Sequence, residues 1–494
     1  MNKKKIGLAA LVLMIFSSIF GFGNGPVAFF QMGYASIIWY VLGALLFFLP
    51  TSMMYAEFGA SYKDSKGGIY TWMEGALGKK TAFIATFIAL ASWVVWMISV
   101  AQKVWIPLST MFFGHDTTQS WHLFGLTSPQ TIGLLAIIFV LVVAFFVTRG
   151  MESISKISSV GGMFVMALNV LLLIVSVIVL IANHGQFAEP VTGKSFIIPE
   201  NPAFQTPFQL ISFALYAVFA YAGMEQMGGM MDDIEKPEKT YPRGVMIATM
   251  VITFGYALSI LLWGVTSNWG HLASMKHVNL GNITYVLMNN LGVALGTSLG
   301  FTQATALTIG AWFARFAGLS MFMAYLGSFF VLTYSPLKSF ILGSPKEVWP
   351  KSVVRLNKAG VPSVAVWIQA GLVVLFIFGI AFGGSDANQL YLILTNMGNV
   401  SSTLPYVFLI VAFPIFKKLN NVEHPIVFYK SMTVTWIVTA IVECLIIISM
   451  VMTVVPLFMS HDYANAFWTI IGPILFGFIA WVLYEHGERK HGKL

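Results

Sequence analysis

The chain has 494 residues, 57% of them hydrophobic and 9% charged, with a mean hydropathy of +0.81. A soluble globular domain carries charge on about a quarter of its residues, so a soluble fold is excluded and burial of apolar surface in lipid is implied. The net charge of +8 does not point to nucleic acid, because the basic residues sit in short connectors between apolar runs, where they report topology.

The first element follows MNKKK and runs apolar to about Met32 with no small-residue cleavage site, so it reads as a retained span rather than a signal peptide. Twelve runs able to cross a ~30 Å hydrocarbon core follow one another, centred near residues 19, 48, 96, 138, 168, 217, 254, 325, 371, 400, 443 and 475. An even count places both termini on one side. If that side is cytoplasmic, 23 Lys and Arg fall on it and only two, Lys194 and Lys276, on the other, while Lys103 and Arg315 lie inside apolar runs. That asymmetry is the positive-inside pattern and supports both count and orientation. No linker or charge block marks a second domain. GGIYTWMEGALG (67–78) and NITYVLMNNLG (282–292) read as amphipathic connectors lying along the inner and outer membrane surfaces.

Two spans carry helix-breaking chemistry. The first contains GFGNGP: Gly21, Phe22, Gly23, Asn24, Gly25 and Pro26. Proline lacks an amide donor and glycine lacks the steric bias toward helical dihedrals. Close packing through Gly21 and Gly25 at G-x-x-x-G spacing is one reading, but it leaves Asn24 and Pro26 without a reason. The sixth span reads FAYAGMEQMGGMMDD, with Phe219, Ala220, Tyr221, Ala222, Gly223, Glu225 and the Gly228–Gly229 pair. An unpaired backbone group in lipid costs several kcal/mol, so such segments must face protein, water or a ligand. Interrupted segments at matching positions of two halves mark an inverted-repeat transporter with a midplane site. Free N–H groups suit an anion and free carbonyls a cation, so a zwitterion fits both.

The chain also resembles the amino acid–polyamine–organocation superfamily, most closely its glutamate/γ-aminobutyrate antiporter branch, YjeM-type members included. The resemblance rests on YAEFG (55–59), GGIYTWMEGALG, YAGMEQMGGMMDDIEKPEKTYPRG (221–244), SPLKSF (335–340) and NKAGVPS (357–363), in order along nearly the whole chain. It implies an all-α, twelve-span fold of the LeuT-like kind. The first repeat would occupy 1–183, an inverted second repeat 205–414, and two additional spans 430–485. It places a substrate carboxylate at Gly21–Gly25 and an amino group near the carbonyls of 219–223, and it makes Phe219 a gating aromatic and Glu225 a proton-linked gate. The usual G-S-G of the first span is here Gly21-Phe22-Gly23, so a serine hydroxyl is lost. Trp93 and Met97 occupy pathway-lining positions by the same resemblance.

Charges within apolar runs each need a reason. Lys103 either attracts an acidic substrate group, pairs with Glu225 or Glu443, or snorkels to the outer surface. Arg315 either steers anions or forms a structural ion pair. Glu57 reads as helix-end packing and Glu443, in the eleventh span, as structural. GTSLG (296–300) matches the G-x-S-x-G nucleophile pattern at Ser298, but that motif needs a strand-to-helix elbow with His and acid nearby. The histidines show no metal-ligand spacing, Cys444 is the only cysteine, and the glycine run follows no strand, so no metal, cofactor or nucleotide is expected. The expectation is a secondary transporter of an amino acid or derivative in the plasma (inner) membrane, working by alternating access as exchanger or proton symporter. The alternatives are a ligand sensor of the same fold, a channel, or a membrane hydrolase using Ser298.

Overall fold

The computed structural model describes residues 6–62, 68–225, 234–383 and 387–491, with the backbone alone for 17, 151–159, 219 and 387–399. Among the described residues the regular elements are all helices, and the only β pairing is one isolated bridge, Ile6 to Ile234. The first apolar run divides into α1 (Leu8–Ile19) and α2 (Asn24–Met32). The second runs from α3 (Ser36–Gly43) through a π-helical turn (Ala44–Phe48) into α4 (Leu49–Ser61). A short α5 (Ile69–Leu77) precedes α6 (Lys79–Lys103), which continues into α7 (Trp105–Phe113). There follow α8 (Ser128–Val147), α9 (Met151–Ala182), α10 (Pro207–Phe219) and α11 (Pro237–Thr266). The outer connector holds α12 (Trp269–Ser274) and α13 (Ile283–Ser298), and α14 (Gln303–Gly343) crosses back. The chain ends with α15 (Lys351–Val354), α16 (Ser363–Phe382), α17 (Ala387–Phe416), α18 (Met432–Met459) and α19 (Tyr463–His491).

Among the described residues nine helical segments are long and apolar enough to cross a membrane, and two shorter apolar helices, Pro207–Val218 and Val400–Phe416, accompany them. Helix starts follow local chemistry. Thr127 with Gln130 and Thr206 with Gln209 form reciprocal capping boxes, each followed by a proline in the first turn. Large apolar side chains such as Ile174, Met250, Phe254, Leu375 and Phe478 point outward, a surface only lipid can cover.

Two cores lie inside. One is shared by α1–α5, α10, α11 and α13 with parts of α17 and α18. The other joins α6, α8, α14 and α16 through residues such as Met97, Val140, Phe329 and Val366. The connector helices also pack on protein. In α5, Tyr70, Trp72 and Met73 are buried, and α13 buries Thr284, Leu287, Met288 and Leu291. Their apolar faces meet protein because α13 packs directly along α14, where a Cβ on Gly292 would lie 2.8 Å from the Gly310 Cα.

Candidate functional site

Residues 20–23 separate α1 from α2, with Phe20 in an extended conformation after the last turn of α1. Pro26 lies in the first turn of α2, where an amide would have no intrahelical acceptor. The glycines therefore open the helix and the proline restarts it. Gly25 also sets an approach distance, since a Cβ there would lie 2.5 Å from the Ser259 Oγ of α11. The second interruption follows α10, where Ala220–Met224 form turns and Gly223 takes φ +109°, a conformation that favours glycine. The side chain of Phe219 and the pair Gly228–Gly229 lie outside the described residues.

One side chain that sequence reasoning missed joins the two interruptions. Tyr256 of α11 accepts hydrogen bonds from the Gly21 backbone N–H at 3.0 Å and the Asn24 Nδ2 at 3.1 Å. Its hydroxyl lies 3.2 Å from both the Ile19 and Ala220 carbonyl oxygens, to which it can donate. A hydroxyl has one proton to donate and two lone pairs, so Tyr256 is saturated and one of the two carbonyls keeps free acceptor capacity. Asn24 gains its reason here. Its carbonyl accepts from the Tyr40 hydroxyl at 3.3 Å and its Oδ1 from the Tyr216 hydroxyl at 3.4 Å. Tyr221 is fully buried and anchors its turn by donating to the Tyr40 carbonyl at 3.0 Å. Its ring stacks on Phe48, at the end of the π-helical turn. A signal did exist, because a tyrosine hydroxyl buried in an apolar run needs a partner. The partner's position, more than 200 residues away in sequence, left no trace there.

Glu225 begins the backbone beyond the second turn and accepts from the Tyr406 hydroxyl of α17 at 3.3 Å. A cavity of about 40 Å³ adjoins it, lined by Ser92, Trp93, Glu225, Pro405 and Tyr406 among others. A void of about 10 Å³ on the other side of Tyr406 is lined by Phe47, Val218, Ala222 and Ile446. The first can hold a water molecule, and neither approaches the several hundred Å³ of an ordinary small-molecule site. Beyond the first interruption, Phe22 is buried edge-on against Trp263, and Gly23 faces Met321 and Thr284.

The remaining candidates lie elsewhere. Met97 is buried between α6 and α16, where the Gln369 Nε2 approaches its sulfur at 3.1 Å. Lys103 is exposed in the last turn of α6, and among the described residues no ion pair joins it to Glu225 or Glu443. Lys103 thus stands at the junction of α6 and α7. Arg315 donates to the Phe112 carbonyl at 3.3 Å and lies over the Trp312 ring, so it serves the C-terminal end of α7. Glu57 is fully buried, pairs with Lys417 at 2.6 Å and accepts from the amides of Phe428 and Tyr429. The Ser298 hydroxyl donates to the Asn183 Oδ1 at 3.1 Å on an exposed helix end, not a strand-to-helix elbow.

Residues 6–478 match the family model described as amino acid permease. The chain belongs to the amino acid permease family. It is 46% identical over 488 residues to the inner membrane transporter YjeM of Salmonella typhimurium, covering 99% of this chain and 97% of that protein. It is 23% identical over 510 residues to the aspartate/glutamate permease AcaP of Lactococcus lactis, covering 100% and 97%. With the glutamate/γ-aminobutyrate antiporter of Lactococcus lactis subsp. lactis the identity is 22%, over 85% of this chain and 78% of that one. A manganese transporter of Eremococcus coleocola has a similar fold, at TM-score 0.54 and 14% identity over 98% and 95% of the two chains. The superfamily resemblance holds along the chain, with the YjeM transporter more alike than the antiporter branch. The protein is a membrane transporter, and not an enzyme.

Proposed function

We propose that the protein is a secondary transporter of an amino acid or close derivative, working by alternating access in the inner membrane with both termini cytoplasmic. Twelve spans are obtained by adding the divided first run and the two shorter apolar helices to the nine long segments. Spans one to five (1–183) and six to ten (205–414) form the inverted repeats, with the last two spans (430–485) outside them. Names of relatives that handle aspartate, glutamate or γ-aminobutyrate support an amino-acid cargo.

The observation that carries the reading is the convergence of both interruptions on the Tyr256 hydroxyl. In this conformation that hydroxyl satisfies backbone groups which a zwitterion would satisfy when loaded. The Gly21 amide and the residues to Gly25 receive the carboxylate, and carbonyls at 219–223 the amino group. Phe219 closes over the substrate, and Glu225, Tyr406 and Trp93 form the inner wall. Lys103 and Arg315 act at the periphery.

The test is uptake of a labelled amino-acid panel into proteoliposomes, with and without internal amino acid and a pH gradient. Saturable uptake stimulated by internal substrate or by the gradient is expected. Ligand binding without flux would point to a sensor, and unsaturable flux to a channel.

A further inference from the structure

Glu443 has no role in the mechanism above, and its surroundings are unusual. It sits at the middle of α18, is 8% exposed, and among the described residues neither carboxyl oxygen has a hydrogen-bond partner. The Val411 N–H of α17 approaches it without reaching hydrogen-bonding geometry. An ionised carboxylate in such a place is among the costliest arrangements available to a protein, and the usual escape is to neutralise.

The groups around it form a set. From α4, Tyr55 is buried, its hydroxyl has no hydrogen-bond partner among the described residues, and it lies within electrostatic range of Glu443, Glu225 and Tyr406 together. From α17 comes Tyr406, hydrogen-bonded to Glu225 and shared by the walls of both voids. The smaller void reaches α18 at Ile446, one turn from Glu443. Other titratable groups on the packed elements are committed or distant. Glu57 is held by Lys417, Tyr216 of α10 reaches Asn24, and those of α19 lie at Tyr463 or in its last two turns. No cation is paired with Glu443 among the described residues. On the same buried face, Thr439 and Thr435 stand four and eight residues toward the end of α18 that neighbours the Glu57–Lys417 pair.

We infer that Glu443 is a second proton-binding carboxylate of the transport cycle, holding one proton in this conformation and coupled to Glu225 through Tyr406 and Tyr55. The step balances simply: the carboxylate takes one proton from water while its surroundings are open and returns it to water when they reopen. Movement of the interrupted sixth span supplies the opening, because α10 packs on α18 and Glu225 follows α10 directly. This rests on the transporter reading for its place in a cycle, but the proton on Glu443 does not.

The test therefore has two arms. Infrared difference spectra of the reconstituted protein, titrated with acid and base, read the carboxylic-acid carbonyl band directly. The wild type should show at pH 7 an acid band that Glu443→Gln lacks and Glu443→Asp restores at a shifted frequency. A wild-type minus Glu443→Gln spectrum showing an ionised carboxylate at pH 7 overturns the inference, and Glu443→Asp decides if the Gln variant does not fold. In the second arm, the ratio of pH-gradient-driven uptake to exchange, for the most active amino acid of the panel, should fall at least tenfold in Glu443→Gln. An unchanged ratio overturns the coupling. Absence of all flux in the wild type would refute the transporter reading and leave the infrared result standing.

Discussion

Replacing Tyr256 by Phe removes a single oxygen and keeps the ring, which stacks on Phe20 with centroids 4.5 Å apart and lies 4.6 Å from Tyr40. Three groups then lose their partner: the half-buried Gly21 N–H and Asn24 amide, and one carbonyl of the buried Ile19 and Ala220 pair. An unmet buried group costs about 1–3 kcal/mol in soluble proteins, whereas hydrogen bonds measured inside membranes average about 0.6 kcal/mol. Three groups at values between those limits give about 2–4 kcal/mol, or roughly 30- to 1,000-fold in the population of this arrangement. In the proposed cycle every turnover passes through that arrangement, so exchange by Tyr256→Phe in proteoliposomes should fall at least tenfold. The thermal midpoint should also drop. Normalising to folded protein by size-exclusion chromatography separates the two effects. A folded variant exchanging within twofold of wild type would refute the idea that this hydroxyl holds the interruptions together.

Gly25→Ala should abolish transport and destabilise by about 1–3 kcal/mol through overpacking, because its Cβ would meet Ser259 Oγ at 2.5 Å. Adding Ser259→Ala, which leaves a 3.3 Å contact with the Ser259 Cβ, should recover a measurable part of both, read by thermal unfolding and uptake. Breaking the buried Glu57–Lys417 pair from either side should cost about 3–5 kcal/mol, and the double substitution Glu57→Gln with Lys417→Met should cost less than the two singles summed, in a double-mutant cycle of thermal stability. Arg315→Gln should lower stability by about 0.3–1 kcal/mol and leave uptake within twofold, because Arg315 serves the end of α7 rather than the interruptions.

The apolar runs and the basic connectors carried the membrane architecture in the sequence, since crossing lipid demands long uncharged helices whatever they pack against. GFGNGP and YAG also announced the two interruptions, because proline and glycine act on the backbone locally. What closes those interruptions was not legible. Tyr256 lies in an apolar run whose partners at Gly21 and Asn24 are over 230 residues away, and only the fold sets that pairing. Lys103 illustrates the reverse case. In the sequence it lay within an apolar run with pathway and surface positions both open, and its exposure in the last turn of α6 became visible only with the structure. The amphipathic pattern of the connector helices likewise fitted a lipid surface or a protein surface equally well, and neighbouring helices decided for protein. Glu443 was visible as a charge in lipid, but its lack of partners is a property of the packing around it.

The central claim is that the first interruption faces the transported solute, and a thiol placed there reads it most directly. Gly23 has room for a side chain, since a Cβ at that position would meet nothing closer than 3.5 Å, and Cys444→Ser removes the only native thiol. In that background Gly23→Cys should react with a membrane-impermeant thiol reagent during turnover, and a transported amino acid should slow the reaction in proportion to its occupancy. A thiol at this position that reacts at the same rate with and without every amino acid that the protein moves would contradict the account.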